Sequence, residues 1–162
     1  MGTINKKSKT VLILGALFLV IGFSGPTVFS QTDPLQIAPA ISDLKGVSVG
    51  MTKDEVKEVL GKPKMSDKTS MNYTFSKTET AQIGFNEQGK ARTIAVIYTD
   101  GDETAPSFLD IFGPDVPLVE GKNGGVYKLI RYRNAGFYVA YSRTMVSKKP
   151  MTVITMRKLA NK

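Results

Sequence analysis

The sequence predicts an α+β fold in which short helices pack on one face of an antiparallel sheet, arranged as two degenerate helix–β–β–β units. Three observations support this fold class. One segment carries a full set of helix start and stop signals, later segments alternate apolar and polar residues, and the helix–strand order occurs twice. The length of 162 residues suits one compact domain, or two small ones that share a core.

The first helix is predicted by its boundaries as well as by its apolar face. Thr52 and Glu55 form a capping box, in which each side chain binds a backbone N–H left unpaired at the helix start. Gly61 supplies the left-handed residue that follows a last helical turn, and Pro63 prevents the helix from resuming. We therefore predict a helix from about Lys53 to Leu60.

Three strands are expected behind this helix. Apolar and polar residues alternate in Met71–Ser76 and again in Ala81–Phe85. The turn residues Asn86–Gly89 separate the second of these segments from a third strand, Ala91–Tyr98. The first half of the domain is therefore predicted to be one helix and a three-stranded antiparallel meander.

The same order recurs in the second half of the chain. Phe108–Phe112 has helical spacing of its apolar residues, and a Gly-Pro pair stops it. The predicted strands are Val126–Arg133, Phe137–Arg143 and Thr152–Arg157, with a tight turn at Asn134–Gly136. Chance recurrence of a common α+β layout is the alternative to a true repeat. We expect one antiparallel sheet of about six strands, with one face partly open.

The N-terminal residues are typical of an export signal. Three Lys residues precede the uncharged apolar run Val11–Phe23, and small residues follow. We predict cleavage after Ser30, with Ser24 as a second possible position and an uncleaved membrane anchor as the alternative. The chain then divides into four parts: a signal peptide (1–30), an extended leader (31–45), the first helix–meander unit (46–100) and the second (101–162).

Composition excludes several classes of function. The chain has no Cys, so a disulfide framework, a thiol nucleophile and a zinc–sulfur site are impossible. It has no His, the commonest general base and transition-metal ligand. No nucleophile motif or marked carboxylate pair stands out. We predict that the protein is not an enzyme and that it uses no cofactor and no metal.

The charge balance favours a protein partner over nucleic acid. The net charge is +8, and residues 1–30 contribute three Lys and no acidic residue, so the exported part would carry +5. That mild excess does not call for nucleic acid. A Ca²⁺ site is one interpretation of the acidic residues Asp100, Asp102 and Glu103. Their spacing is not that of an EF-hand loop, and acidic turns are common linkers, so we favour a linker.

The helix segment also resembles a family signature. The matching residues are Gly50, Met51, Thr52, Glu55, Val56, Leu60, Gly61 and Pro63. They resemble the signature of the SmpA/OmlA family, small envelope proteins that include a lipoprotein accessory of the outer-membrane β-barrel assembly machine. The resemblance covers about Gly46–Tyr98 and implies an exported protein-binding module. The assembly lipoprotein is anchored through an N-terminal Cys, which this chain lacks.

The tandem layout resembles a second group, the β-lactamase inhibitory proteins. Those are secreted proteins whose concave sheet face grips an enzyme. They carry disulfides, which are absent here. Together the two resemblances imply a secreted protein-binding class and name no partner.

A candidate binding surface lies on the hairpin Val126–Arg143. Pairing across Asn134–Gly136 is expected to place aromatic and basic residues on one face: Tyr127, Arg131, Arg133, Tyr141 and Arg143. Tyr and Arg are enriched at protein interfaces. The alternative is that their apolar neighbours are core and the Arg side chains lie along a strand edge. A register error of one residue would exchange the two faces.

These patterns lead to one functional hypothesis and two alternatives. We predict an exported, non-enzymatic module, periplasmic or extracellular, that binds another envelope or secreted protein on its open sheet face. It would contact the membrane only transiently, through the signal peptide. The first alternative keeps the fold but uses it as a pocket for a small molecule or a lipid. The second is a structural component anchored by an uncleaved N-terminal helix.

Overall fold

The structure, a computed structural model, describes residues 38–121, 124–146 and 149–160. These residues all lie within one compact unit. The predicted signal peptide, its cleavage near Ser30 and the first part of the predicted leader lie outside the described residues. Among the residues that are described, no helix is long and apolar enough to cross a membrane.

The described chain forms one antiparallel sheet with two short helices. The elements in chain order are α1 (Lys53–Leu60), β1 (Met65–Ser66), β2 (Ser70–Thr74), β3 (Glu79–Phe85), β4 (Ala91–Tyr98), α2 (Phe108–Phe112), β5 (Val126–Tyr132), β6 (Phe137–Val146) and β7 (Lys149–Lys158). The strands lie in the order β1-β2-β3-β4-β7-β6-β5. The predicted antiparallel α+β class is therefore correct, although the sheet has seven strands because the two-residue β1 was not predicted.

Both helices begin with the same capping device. The Thr52 hydroxyl accepts a hydrogen bond from the Glu55 backbone N–H at 3.2 Å, and the Glu55 carboxylate accepts one from the Thr52 N–H at 2.6 Å. Ser107 and Asp110 form the equivalent box at α2. Gly61 ends α1 with φ of 77°, in the left-handed region that favours glycine. The predicted helix Lys53–Leu60 is confirmed.

Every buried residue of the described strands lies on the same face of the sheet, which we call the core face. Its central row runs across five strands through Ile83, Ile94, Met156, Val139 and Ile130, all 5% exposed or less. Helix residues belong to the same hydrophobic cluster. The alternate positions of the strands form the opposite face, which we call the open face, and none of its described residues is buried.

The two halves of the chain meet where β4 pairs with β7. The last strand was predicted to start at Thr152 because Pro150 breaks a strand, but β7 begins at Lys149. The register explains why Pro150 is tolerated. Tyr98 pairs with Thr152 at the end of β4, and the Pro150 carbonyl accepts a hydrogen bond from Gly101 beyond that end. In an extended strand the nitrogen and the carbonyl of one residue face the same neighbour. The nitrogen of Pro150 therefore faces the region beyond the end of β4, where its missing N–H removes no hydrogen bond between paired strands.

The Asp67 carboxylate stabilises the turn between β1 and β2, and its lowered pKa makes this stabilisation depend on pH. Its carboxylate accepts four hydrogen bonds from the backbone N–H groups and hydroxyls of Thr69 and Ser70. These bonds lower its pKa from 3.8 to about 2. Because the folded pKa is depressed, the stabilisation is present above about pH 4 and is lost as the pH falls towards 2.

We therefore expect Asp67→Asn to lower the urea midpoint at pH 7 and to differ little from the parent protein near pH 2. Urea titrations at both pH values measure this. Asp115→Asn, at an exposed carboxylate in the loop after α2, is the matched control. An Asp67→Asn deficit that stays constant from pH 7 to pH 2 would contradict the assignment.

Candidate functional site

The open face presents aromatic, basic and small apolar residues on its central and C-terminal strands. β5 contributes Tyr127, Leu129 and Arg131, β6 contributes Tyr138, Ala140 and Ser142, β7 contributes Val153, Thr155 and Arg157, and β4 contributes Thr93, Ala95 and Ile97. Strands alternate their side chains between faces, so these residues are cross-strand neighbours on a single surface.

One cross-strand row places an aromatic ring between two guanidinium groups. Arg157 pairs with Tyr138, and Tyr138 pairs with Arg131 on the next strand. Adjacent strands are about 4.8 Å apart, so the three side chains project from neighbouring positions. Tyr127 lies four residues before Arg131 on β5 and is 56% exposed. We call Tyr127, Leu129, Arg131, Tyr138, Val153 and Arg157 the open-face patch.

The sign of the charge on this face is uniform. Among the described strand residues, the open face carries no Asp or Glu, and the acidic strand residue Glu79 lies on the core face. Arg131 and Arg157 therefore have no carboxylate neighbour on the open strands. The surface is basic and partly apolar, a combination that suits a partner with acidic residues around an apolar centre.

The exposed apolar surface continues past the edge of the sheet. Glu120 forms an antiparallel bridge with Val126, which brings the preceding residue, Val119, level with Tyr127. Val119 is 66% exposed and Leu118 is 50% exposed. Neighbouring exposed apolar side chains are typical of interaction surfaces.

The five predicted surface residues do not share one face. Tyr127 and Arg131 lie on the open face, whereas Tyr141 and Arg143 lie on the core face, where Tyr141 is 1% exposed. The prediction was wrong for β6 because the hairpin turn has four residues: Tyr132 pairs with Phe137. That shift of one residue reverses every side chain of the strand. Ala140 and Ser142 occupy the cross-strand places expected for Tyr141 and Arg143, and Tyr138 and Arg157 supply aromatic and basic groups elsewhere on the open face.

The fifth predicted residue, Arg133, lies in this turn. The turn is closed by hydrogen bonds from the Ala135 and Gly136 N–H groups to the Tyr132 carbonyl. Arg133 is exposed there, beyond the paired strands. It borders the open-face patch in sequence but is not one of its cross-strand positions.

The signature residues of the helix segment hold the fold together. The Gly50 N–H donates to the Ala91 carbonyl, and the Ala91 N–H donates to the Met51 carbonyl, both at 2.7 Å. Val56 is completely buried. These contacts fix the start of α1 to the first residue of β4. The signature therefore acts through packing and backbone pairing, which is a structural role.

A partly buried polar cluster lies where β3 begins and β4 ends. The Lys45 ammonium is 2.8 Å from the Glu79 carboxylate and 4.7 Å from the centre of the Phe75 ring. Tyr98, beside Glu79 in the ladder, has a pKa well above its usual range because it is buried and because Glu79 is negative. Burial similarly raises the pKa of Tyr132, whose hydroxyl has no hydrogen-bond partner among the described residues.

The acidic turn after β4 is held by local hydrogen bonds. Asp100 has a left-handed φ of 56°, and the carboxylate of Asp102 accepts hydrogen bonds from Thr78 and Thr104 at 2.6 Å each. Within the described ranges, no group of three or more acidic side chains is arranged to hold a metal ion.

Comparison with known proteins finds one family model that matches part of the chain. Residues 38–104 match the family model described as the outer membrane protein assembly factor BamE domain. The match contains α1, β1–β4 and the whole signature Gly50–Pro63, and it agrees with the SmpA/OmlA resemblance. Searches of curated proteins and of solved structures give no match. Residues 38–104 of this chain are therefore similar to the BamE domain of the SmpA/OmlA family.

Proposed function

We propose that this chain is an exported, non-enzymatic module that docks an envelope protein on its open-face patch. The observation that carries the proposal is the row Arg157–Tyr138–Arg131, on a face whose described strand residues include no Asp or Glu. The family description adds the class of partner, because it names an outer membrane protein assembly factor. The partner surface would be acidic around an apolar centre.

Binding would combine two physical effects. Tyr127 and Tyr138 would bury large ring areas and keep their hydroxyls available for hydrogen bonds, and Leu129 and Val153 would exclude water between them. Arg131 and Arg157 would pair with carboxylates of the partner, which raises the association rate and makes it salt-dependent. A few such anchors carry most of the energy of an interface.

The contacts of the helices support this use of the sheet. The rings of Phe108 and Phe112 in α2 lie 5.8 and 6.5 Å from the Tyr141 ring on the core face. Lys53 of α1 lies over the ring of Phe85, also a core-face residue, at 5.4 Å. We infer that both helices cover the core face and leave the opposite face for a partner.

We also propose that the protein is exported and that its mature part consists of the two helix–meander units that the sequence predicts. Export would remove residues 1–30 and leave Gln31 as the first residue of the protein. The helix–meander units 46–100 and 101–162 would then build one sheet through the β4–β7 pair. Periplasmic or extracellular location follows from that export.

The test is recovery of the partner from the native host after mild crosslinking, with identification by mass spectrometry. We expect a stoichiometric envelope protein crosslinked at the open-face patch, and an N-terminus at Gln31. The double variant Arg131→Glu/Arg157→Glu should weaken binding of that protein by at least about tenfold, because it places two negative charges against an acidic surface.

A charge-matched control separates the local effect from net charge. Lys62→Glu/Lys64→Glu makes the same change at exposed residues between α1 and β1. It should leave binding within about twofold of the parent protein. Equal losses in the two double variants, or recovery of the protein without a partner, would argue against docking on this face.

A further inference from the structure

A cleft of about 280 Å³ opens on the core side of the sheet, at the end opposite the β5–β6 turn. It is lined by Tyr98, Gly101, Asp102, Glu103, Ala105, Arg143, Pro150 and Thr152. The first four lie in the region that matches the BamE domain, and the others lie beyond residue 104. The cleft therefore exists only because both halves of the chain contribute to it.

One wall of the cleft carries a cation and a hydroxyl that lack partners. Arg143 and Thr152 are opposite each other in the β6–β7 ladder. Within the described ranges, the Arg143 guanidinium makes no hydrogen bond or ion pair. Thr152 is 3% exposed, and no hydrogen bond of its hydroxyl is found among the described residues. The Thr152 hydroxyl is not one of the fully buried unpaired polar atoms, so it keeps access to the cleft and can donate to a ligand there.

The other wall carries carboxylates. Thr78 and Thr104 hydroxyls fix the Asp102 carboxylate, and these hydrogen bonds lower its pKa, so it is ionised at neutral pH. Glu103 is exposed beside it. Neither carboxylate lies within 4.0 Å of Arg143 in the described structure. Opposite charges thus line one small cleft without neutralising each other.

The lining of the cleft also includes apolar atoms beside its charged groups. The buried ring of Tyr98 and the side chains of Ala105 and Pro150 supply its apolar surface. Glu79, the next residue along the Tyr98 row, is already neutralised by Lys45 at 2.8 Å. The charges left for a ligand are therefore Arg143 on one side and Asp102 with Glu103 on the other.

We propose that this cleft binds a small zwitterion of the amino-acid class. The ligand carboxylate pairs with Arg143 and accepts a hydrogen bond from the Thr152 hydroxyl, while its ammonium group lies against Asp102 and Glu103. The apolar part of the lining contacts a short side chain. A guanidinium is the preferred group for a carboxylate because its parallel N–H donors match the two oxygens.

The arrangement disfavours ligands with one sign of charge. Asp102 and Glu103 repel a simple anion that approaches Arg143, and Arg143 repels a simple cation that approaches the carboxylates. The volume of about 280 Å³ is near the lower end of small-molecule pockets, which fits a compact ligand. Its mixed charge also differs from the apolar pocket that a lipid requires.

Titration of the exported protein with free L-amino acids, followed by NMR or calorimetry, tests the proposal. We expect at least one small amino acid to bind with millimolar or better affinity, while acetate and methylammonium alone bind at least about tenfold more weakly. Arg143→Gln and the isosteric Thr152→Val should each weaken binding, with Arg143→Gln losing at least about tenfold. Far-UV circular dichroism confirms that each variant is folded.

Arg92→Gln is the matched control, since it removes an exposed guanidinium from β4 that lines neither the cleft nor the open-face patch. It should leave amino-acid binding unchanged. The zwitterion assignment is overturned if no amino acid binds at about 10 mM, if acetate alone binds equally well, or if Arg92→Gln matches the loss in Arg143→Gln. Because the cleft and the open-face patch lie on opposite faces, failure of this test leaves docking on the patch to be judged separately.

Discussion

Replacing Tyr141 by Ala is expected to lower the free energy of unfolding by about 3–5 kcal/mol, the cost of a large aromatic removed from a packed core. Tyr141 is 1% exposed and contacts the rings of Phe108 and Phe112 edge-on. Its hydroxyl donates to the Pro106 carbonyl at 3.5 Å. The substitution therefore opens a cavity beneath α2 as well as removing buried area. Urea denaturation monitored by circular dichroism measures the change.

Tyr138→Ala is the matched control, because the two tyrosines lie on the same strand and face opposite sides. Tyr138 is half-buried on the open face, so its loss should cost about 1 kcal/mol. The same pair reports on function: Tyr138→Ala should weaken partner binding, while Tyr141→Ala should act through stability. If Tyr138→Ala lowered the free energy of unfolding more than Tyr141→Ala does, Tyr138 rather than Tyr141 would lie on the core face.

Elements with local signals could be predicted from the sequence. The helix Lys53–Leu60 was found with its correct ends because the cap residues Thr52, Glu55 and Gly61 act within one helical turn of their own backbone. The meander β2–β4 followed from alternation between clear turn residues. The Ser107–Asp110 box of α2 was missed because Asp, rather than the usual Glu or Gln, is at the third helical position.

The candidate site depended on register, which is decided by packing of the whole sheet. The hairpin was paired from an assumed three-residue turn, and the observed four-residue turn moved Tyr141 and Arg143 to the core face. A second signal was available in β6 itself. Phe137 and Val139 are more apolar than Ala140 and Ser142, which favours the observed face. The place of Arg157 beside Tyr138 could not be predicted from its neighbours in the sequence, because β7 pairs with β6 only when the whole sheet has formed.

Introducing a carboxylate at the centre of α1 is expected to have the largest effect of all. Val56 is completely buried within the cluster that joins the helix to the sheet. Val56→Asp would either bury an unpaired charge or expel α1 from the core, and either outcome should cost more than about 4 kcal/mol. Domains of this size are stable by only about 5–15 kcal/mol. We therefore expect loss of cooperative unfolding, or a folded fraction visibly reduced at 37 °C.

Val59→Asp separates burial from helix propensity, because it makes the same substitution three residues later in α1, at a side chain that is 45% exposed. It should cost about 1 kcal/mol or less. If both variants were equally mild, α1 would not be packed on the sheet, and the BamE signature would need a role other than packing. If only Val56→Asp unfolds the protein, the signature fixes a helix whose burial against the core face leaves the opposite face of the sheet available for a partner.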